Sequence, residues 1–428
     1  MARVTGGQRG AAEVGVVHAW CFPVLPRTGP WLRYVPMNDS TLPLLPTPEE
    51  LAIRKSIRTI CEEFGPRYGR ECLEKKEPPT AMWDALAKGG FVGVNVPEAW
   101  GGGGLGMLGL QIVAEEVAAS TGFGSLMLVV SSSIAGSVLA IHGSEAQKER
   151  WLRGIAAGTT RIAFAITEPD AGTNSHNLKT ELRAHGDGYL LRGQKVFISG
   201  VEHADAVLVV ARFRTASGEL GKPTLCIVDV NARGFSKSVI PMPYIGPESQ
   251  WTLHFDDVEI GADRIVGAVE SGLAVVFDGL NPERIIIAAM CNGLARRAIE
   301  KAVAYANERV VWKAPIGAHQ AVSHPLAKAK IDLELARLMT QKAAALFDAR
   351  ANVAAVGEAA NMAKYAAAEA AGRCVDAAIQ THGGNGITIE YGVSDLWWPV
   401  RTMRVAPVSA EMILNHVAQH TLGLPKSY

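Results

Sequence analysis

Residues 161–173 read Arg161-Ile162-Ala163-Phe164-Ala165-Ile166-Thr167-Glu168-Pro169-Asp170-Ala171-Gly172-Thr173, and here the texture of the chain changes. Arg161–Thr167 is a strand-like run that stops at a Pro/Gly turn. Beyond it Tyr189–Leu191, Val207–Arg212, Leu225–Val230 and Leu253–Val258 also read as strands, with Asp187-Gly188 as a hairpin turn. Residues 161–268 are therefore expected to be a β domain.

Outward from this block the periodicity is helical. Upstream, Thr47-Pro48-Glu49-Glu50 is a helix start, with Thr47 as cap and Pro48 in the first helical position. Pro79-Thr80 and Ser144-Glu145 give similar signals, so 47–160 reads as a helical domain. Gly101–Gly106 spells a formal G-x-G-x-x-G after the strand-like Phe91–Val96. Pro97-Glu98-Ala99-Trp100 intervenes, however, and no acid lies ~20 residues past the last glycine to bind a ribose. It reads as a turn between helices. Val117–Ser144 carries no charged residue, yet Gly122, Gly124, Gly136 and Ser131–Ser133 interrupt it. A spanning helix wants ~20 predominantly apolar residues, so buried core helices are expected instead. Downstream, Asn281-Pro282-Glu283 reads as the start of a helix whose run Ile285–Met290 is apolar nearly all round. Ala-rich helices follow at about 325–350, 357–381 and 409–419, making 269–428 a C-terminal four-helix-bundle domain. The first 36 residues lack apolar periodicity and Met37 is a candidate start, so 1–46 is expected to be a disordered extension.

The chain has 428 residues with 42 Lys+Arg against 42 Asp+Glu. No basic surplus exists to neutralise phosphates, which argues against nucleic acid. Nothing here calls for a membrane. Six scattered cysteines without a C-x-x-C pair fit reduced thiols in the cytoplasm better than a disulfide framework or a metal site. The fold class expected is α+β: helical, β, helical.

The segment Thr167-Glu168-Pro169-Asp170-Ala171-Gly172-Thr173 and the later Lys195-Val196-Phe197-Ile198-Ser199-Gly200 resemble the T-E-P-x-A-G-S and W-I-T-N signatures of acyl-CoA dehydrogenases. The resemblance runs from about residue 47 to 424. It implies FAD as cofactor, with Thr167 and Ser199 bonding the flavin edge and Phe164, Ile166, Gly172 and Thr173 beside it. Phe197 stands in for the Trp that shields the ring, and stacks without an indole N–H. Tyr305 to Gln320 resembles the Y-A-x-x-R-x-x-F-G…Q motif, whose Arg309 would reach the pyrophosphate of a neighbouring subunit, with Trp312, His319 and Gln320 nearby. Lys313 stands where the family usually has Gly. Gln380-Thr381-His382-Gly383-Gly384-Asn385-Gly386 matches the Q-x-x-G-G-N-G loop near the neighbour's adenosine, giving Gln380, Gly383 and Gly384 as contacts. A homo-oligomer, a dimer of dimers, follows from the same resemblance. A mitochondrial matrix location would replace the cytoplasm in a eukaryote.

The reaction implied removes a proton α to a thioester and a hydride from the β carbon. It needs one carboxylate base and donors for an enolate-like oxygen. The family's usual I-Y-E-G-T-S-E segment is here Val405-Ala406-Pro407-Val408-Ser409-Ala410-Glu411, so Pro407 falls on the usual Glu. A minority of the family (the isovaleryl and long-chain types) carries the base in a pattern like L-E-R-L, which Pro282-Glu283-Arg284-Ile285 matches. Glu283 is thus the candidate base. Taken alone, a Glu in a first helical turn merely complements the macrodipole. Asn281, Arg284, Thr173 and Val408 are candidate substrate contacts, and Ser409 and Glu411 candidate cofactor contacts. Proline lacks an N–H, so Val408 N–H or Ser409 is expected to replace the lost oxyanion donor. The resemblance implies an acyl-CoA oxidised to a 2,3-enoyl-CoA, in fatty-acid or branched-chain catabolism, with electrons passed to an electron-transferring flavoprotein. An oxidase or monooxygenase on the same fold, and a non-catalytic homologue, are the alternatives.

Overall fold

The computed structural model describes residues 45–75, 77–270 and 272–426. Most of the expected N-terminal extension, residues 1–44, lies outside the described residues. The chain enters α1 (Pro48–Glu62) through a complete capping box: Thr47 Oγ1 accepts from Glu50 N, and the Glu50 carboxylate accepts from Thr47 N. Helices α2 (Tyr68–Lys75), α3 (Thr80–Lys88) and α4 (Gly106–Thr121) follow. A π-helical stretch, Leu128–Ala135, runs into α5 (Gly136–His142), and short pieces α6 (Glu145–Gln147) and α7 (Arg153–Ala157) complete the helical layer. The uncharged stretch is buried as expected; Leu128, Ile134, Val138 and Leu139 are fully inside. Phe91–Val96, which alternates like a strand, forms turns instead. Its valines are buried, but Gly93, Val94 and Val96 direct their carbonyls to the amides of Gly103, Leu105 and Gly104, leaving no ladder for a partner strand.

The β domain is an eight-stranded mixed sheet: β1 (Ile162–Ala165), β2 (Glu181–His185), β3 (Gly188–Ser199), β4 (Ala206–Arg214), β5 (Leu220–Asp229), β6 (Phe235–Ile240), β7 (Gln250–Gly261) and β8 (Ile265–Val266). The order is β6-β7-β3-β2-β4-β5-β8, with β1 joined in parallel to β4. Strand periodicity sorts side chains between two cores. Ile162, Phe164, Leu208, Val210 and Ile227 enter the large core shared with the helices. Their neighbours Ala163, Ala165, Val207, Val209 and Val228 enter a separate core on the other face. β2 and β6 escape sequence reading because β6 is largely exposed and β2 carries Glu181 and Arg183.

Three long helices form the C-terminal layer: α8 (Leu273–Glu308), α9 (Gln320–Asp348) and α10 (Val353–His382), followed by α11 (Trp397–Met403) and α12 (Ala410–His416). Helix α8 starts nine residues before the expected Pro282, so Glu283 lies in its third turn and not its first. Proline removes one backbone bond and costs ~3 kcal/mol in a helix interior. The preceding turns compensate by burying Val275 and Val276 and by seating Gly279 against Ile134 and Val138. The expected macrodipole support for an ionised Glu283 is therefore absent.

Helix α4 crosses α8 where Gly293 meets the α4 backbone; a Cβ there would lie 2.2 Å from Glu115 O. Beside this crossing Glu115 and Glu116 are buried among four guanidiniums. Arg54 and Arg58 of α1, Arg296 of α8 and Arg337 of α9 all reach them, at 2.7–3.4 Å. One charge cluster thereby fastens the first helical layer to the last.

Between α8 and α9 a small hairpin joins β9 (Val310–Val311) to β10 (Ala314–Pro315) through Trp312 and Lys313, both at positive φ (48° and 70°). The turn persists without the family glycine, at the steric cost of two L-residues in the left-handed region. Replacing Lys313 by Gly is expected to stabilise the fold by about 0.5–1 kcal/mol, the relieved strain outweighing the added chain entropy. Chemical denaturation of Lys313→Gly against the parent measures it.

Candidate active site

The motif turn after β1 is built around a buried ion pair. Lys195, fully buried on β3, donates to Glu168 Oε1 at 2.9 Å and to Ile166 O at 2.8 Å. The Glu168 carboxylate also accepts from the backbone of Lys179 (2.6 Å) and Thr180 (2.9 Å). Burial opposes its ionisation, but Lys195 and the two amides hold its carboxyl below the usual range. Burial in turn lowers Lys195 to about 8. Val196 N donates to Thr167 O at 3.0 Å, so the turn and β3 are locked side by side.

This lock presents Thr167, half-buried, next to the end of β3. There the pairing with β7 slips between Lys195 and Ile198, and Phe197 sits at φ 58°. A bulged aromatic at positive φ is costly, and such strain collects at functional sites. Its effect is to hold the Phe197 ring 58% exposed. Two residues on, Ser199 Oγ lies 2.9 Å from Gln250 Nε2. The hydroxyl also donates to Gln250 Oε1 at 3.2 Å, so the Gln250 amide holds it from both sides. Gly172 and Thr173 are exposed, and nothing lies within 4 Å of where a Gly172 Cβ would be. Phe164 packs into the large core, and Ile166 is half-buried beside the turn.

On α8, Glu283 is half-buried and makes no hydrogen bond or ion pair among the described residues. Burial pushes its carboxyl up to about 7, against the opposing pull of Arg284 and Lys364. Arg284 is turned aside: its Nη1 donates to the buried Asn281 Oδ1 at 2.9 Å, and its guanidinium lies 5.9 Å from the Phe277 ring centroid. The pair Asn281–Arg284 thus frames Glu283 without neutralising it by contact.

The segment that replaces the usual base lies against α10. Lys364, 1% exposed, donates to Val408 O at 2.6 Å. Ser409 caps α12 through Met412 N, and Ala410 N closes the loop onto Arg404 O. The Val408 N–H is left without an acceptor among the described residues. Glu411 is exposed beside the Ser409 cap.

A second group lies at the far end of α8. Tyr305 stacks on His382 (4.4 Å between centroids), and its hydroxyl accepts from Asn385 Nδ2 at 3.1 Å. This brings the end of α8, with Arg309 exposed as its cap, beside the Gly383-Gly384 turn that ends α10. Trp312 is 85% exposed and meets His319 edge-on, while Gln320 and Gln380 are exposed on the helices that follow and precede. The sequence motifs therefore lie in separate places: Thr167, Phe197 and Ser199 at the turn and β3, Glu283 on α8, and an outward-facing group at Arg309 and Gly383.

The helical, β, helical order of layers appears in comparisons with known proteins. Residues 47–159, 163–258 and 270–422 match the N-terminal, middle and C-terminal domains of acyl-CoA dehydrogenase. The chain belongs to the acyl-CoA dehydrogenase family. It is similar to the acyl-CoA dehydrogenase FadE12 of Mycobacterium tuberculosis, 49% identical over 392 residues that cover 92% of this chain and all of the relative. It is also similar to the CarC subunit of the caffeyl-CoA reductase–Etf complex of Acetobacterium woodii, at 32% identity covering 82% of this chain and 93% of the relative. Among solved structures, a glutaryl-coenzyme A dehydrogenase in complex with glutaryl-CoA superposes with a TM-score of 0.84 at 28% identity, covering 90% of this chain and 98% of that one. An acyl-CoA dehydrogenase is an FAD-dependent oxidoreductase, and the fold and order of layers here are those of the family.

The residues on the turn and β3 fit that cofactor. Phe197 offers an open aromatic face, Ser199 and Thr167 offer hydroxyls, and Gly172 leaves room for backbone to approach a pyrophosphate. Two residues matter here that sequence reading passes over. Lys364 is a lone cation in the alanine-rich run Ala359–Ala368, a signal present in the sequence. Glu248 is not legible there: it is buried behind Ser125, bonded through Oε1 to the Ser125 hydroxyl (3.1 Å), with Oε2 unpartnered and its carboxyl pushed up to about 7 by burial.

Among the described residues no helix is long and apolar enough to cross a membrane. Cys61, Cys72, Cys226, Cys291 and Cys374 are buried and unpaired.

Because Glu168 is buried and Lys195 is the cation in contact with it, Lys195→Met should cost about 3–5 kcal/mol and loosen FAD. The double change Lys195→Met with Glu168→Gln should recover part of this. Thermal unfolding with and without added FAD tests both.

Proposed function

We propose that this enzyme oxidises an acyl-CoA to the 2,3-enoyl-CoA with Glu283 as base. The supporting observation is the Glu283 carboxyl itself: half-buried, free of contact partners among the described residues, raised to about 7, and carried by a helix that buries most of its length. A base near the working pH combines an available lone pair with useful proton affinity. In this reading Glu283 takes the α proton, the freed electron pair forms the C=C bond, and the β C–H leaves with its electrons as hydride. FAD, when bound, supplies the hydride acceptor. Thr167, Phe197 and Ser199 orient it, and Gly172 with Thr173 lies along its phosphates or the CoA. The Val408 N–H takes over the donor role that Pro407 cannot fill. Asn281 and Arg284, bonded to each other, flank the base on α8 and touch the substrate.

Arg309, Trp312, His319, Gln320, Gln380, Gly383, Gly384, Ser409 and Glu411 are assigned to FAD, most of them to that of a neighbouring subunit. The outward placement of Arg309 and Trp312 supports this assignment and a dimer-of-dimers assembly. Electron-transferring flavoprotein is the proposed acceptor, supported by the kinship with a subunit of an Etf complex. A cytoplasmic location is consistent with the buried, unpaired thiols.

The test is anaerobic titration of the FAD-loaded enzyme with a panel of straight and branched acyl-CoAs, followed by flavin absorbance. Bleaching by one of them is expected, and Glu283→Gln should slow it on the order of 10³-fold. With a carboxyl near 7 that must be ionised to act, kcat/KM should rise about tenfold per pH unit below 7 and level off above it. Undiminished bleaching in Glu283→Gln would remove the base assignment.

A further inference from the structure

We propose that Lys364 is a positioning residue for the reaction: it fixes the Val408 peptide so that the thioester oxygen can be held, and it supplies the cation that steadies Glu283. This rests on the reading of Glu283 as base. Three observations lead to it.

The first is contact. Lys364 is 1% exposed and directs its Nζ to Val408 O at 2.6 Å, 44 residues away in sequence. Burying an ammonium against a single carbonyl is unfavourable, and methionine or leucine would fill the space at lower cost. The second is location. Val408 follows Pro407 directly, where the chain has lost an N–H, and its own N–H has no acceptor among the described residues. The segment is otherwise tied down outside residue 408, by Arg404 Nε on Glu369 of α10 (2.6 Å) and by the Ser409 cap of α12. Lys364 is the side chain that fixes the residue between these ties. The third is electrostatic. Facing Lys364 are Glu283, Arg284 and Cys291 of α8, and Glu369 of its own helix. Only Lys364 and Arg284 oppose the effect of burial on Glu283, and Arg284 is engaged with Asn281.

One cation thus serves the two halves of α-proton removal. It holds the backbone donor in register with the oxygen that gains negative charge, and it limits how far burial raises the base. The proton still goes to Glu283 and the electron pair still forms the double bond; Lys364 exchanges nothing.

The experiment compares Lys364→Met, Lys364→Arg and Glu283→Gln in the FAD-loaded enzyme. The first readout is flavin bleaching by the acyl-CoA that reduces the parent best. The second is the titration of bound acetoacetyl-CoA, followed through the absorbance of its enolate, which needs no turnover. Lys364→Met should cut kcat about 10–100-fold, part of the loss of a full oxyanion donor, with KM changed less than threefold. Its kcat/KM profile should move to higher pH, because Glu283 loses a cation. The bound enolate should form at higher pH than in the parent. Lys364→Arg, which keeps a donor and a charge, should recover most of each effect. A purely structural role would lower the unfolding temperature and leave the enolate titration unmoved in the folded fraction, and that result would overturn the proposal. If Lys364→Met does not fold, an enolate titration and a pH profile both unmoved in Lys364→Gln would overturn it equally. Failure of the base reading looks different: Glu283→Gln would then bleach normally whatever Lys364 does.

Discussion

The buried pair Lys195–Glu168 is the contact on which the geometry of the site depends. A carboxylate and an ammonium out of water offset their desolvation only when every lone pair and proton is used. Here Glu168 collects two amides and the ammonium, and Lys195 adds the Ile166 carbonyl. The pair therefore fixes the turn after β1 against β3 at two points and against the residues that lead into β2 at two more. The bulge that follows is forced by this anchoring: with Lys195 drawn inward and Ile198 paired again with Trp251, the chain between them has to take up extra length. Phe197 is thrown outward at positive φ as the result. The motif residues usually read as cofactor contacts divide accordingly. Glu168 and Lys195 build the turn, while Thr167, Phe197 and Ser199 are what the turn displays.

A second constraint sets the opposite wall. Helix α8 is held at one crossing by Gly293 on α4 and by the carboxylates of Glu115 and Glu116, which gather arginines from three helices. Ten residues earlier the same helix carries Glu283. The proposed base therefore sits on a helix fastened at a crossing with α4. In the proposed reading, the loss of the usual Glu from the C-terminal loop moves the base from a loop to a rigid element.

Much of this is legible in the residues. The change of period at Arg161 and the capping box at Thr47 mark the layers, and the spacing of T-E-P, Phe197–Ser199 and Gly383-Gly384 marks the turns to which the cofactor contacts are assigned in the proposed reading. What escapes has definite causes. β6 is an exposed edge strand with no alternation to detect, and β2 is short and charged. Pro282 looks like a start signal because proline is common at first helical positions; burial of Val275 and Val276 outweighs it. Lys313 at φ 70° shows a turn set by hairpin pairing in spite of its residue. Glu248 carries no local pattern at all, because its burial is decided by Ser125 and Met127, more than 120 positions away.

Pro407 ties these points together. Its substitution for the family Glu removes a carboxylate and an amide proton in one step, so the loop loses both a base and an oxyanion donor. The proposed successor to the base is Glu283 on α8. The donor does not, because a backbone N–H cannot be relocated by changing a side chain; it has to come from the next peptide along. That requires the loop to be held one residue further on, at Val408, and a carbonyl grip is the available means once Pro407 itself cannot donate. The grip comes from α10, and its electrostatic reach extends to Glu283 on α8. A chain that shifted its base without anchoring Val408 would keep proton affinity but forfeit the stabilisation of the charge that proton removal creates, and of the two that stabilisation contributes more to the rate.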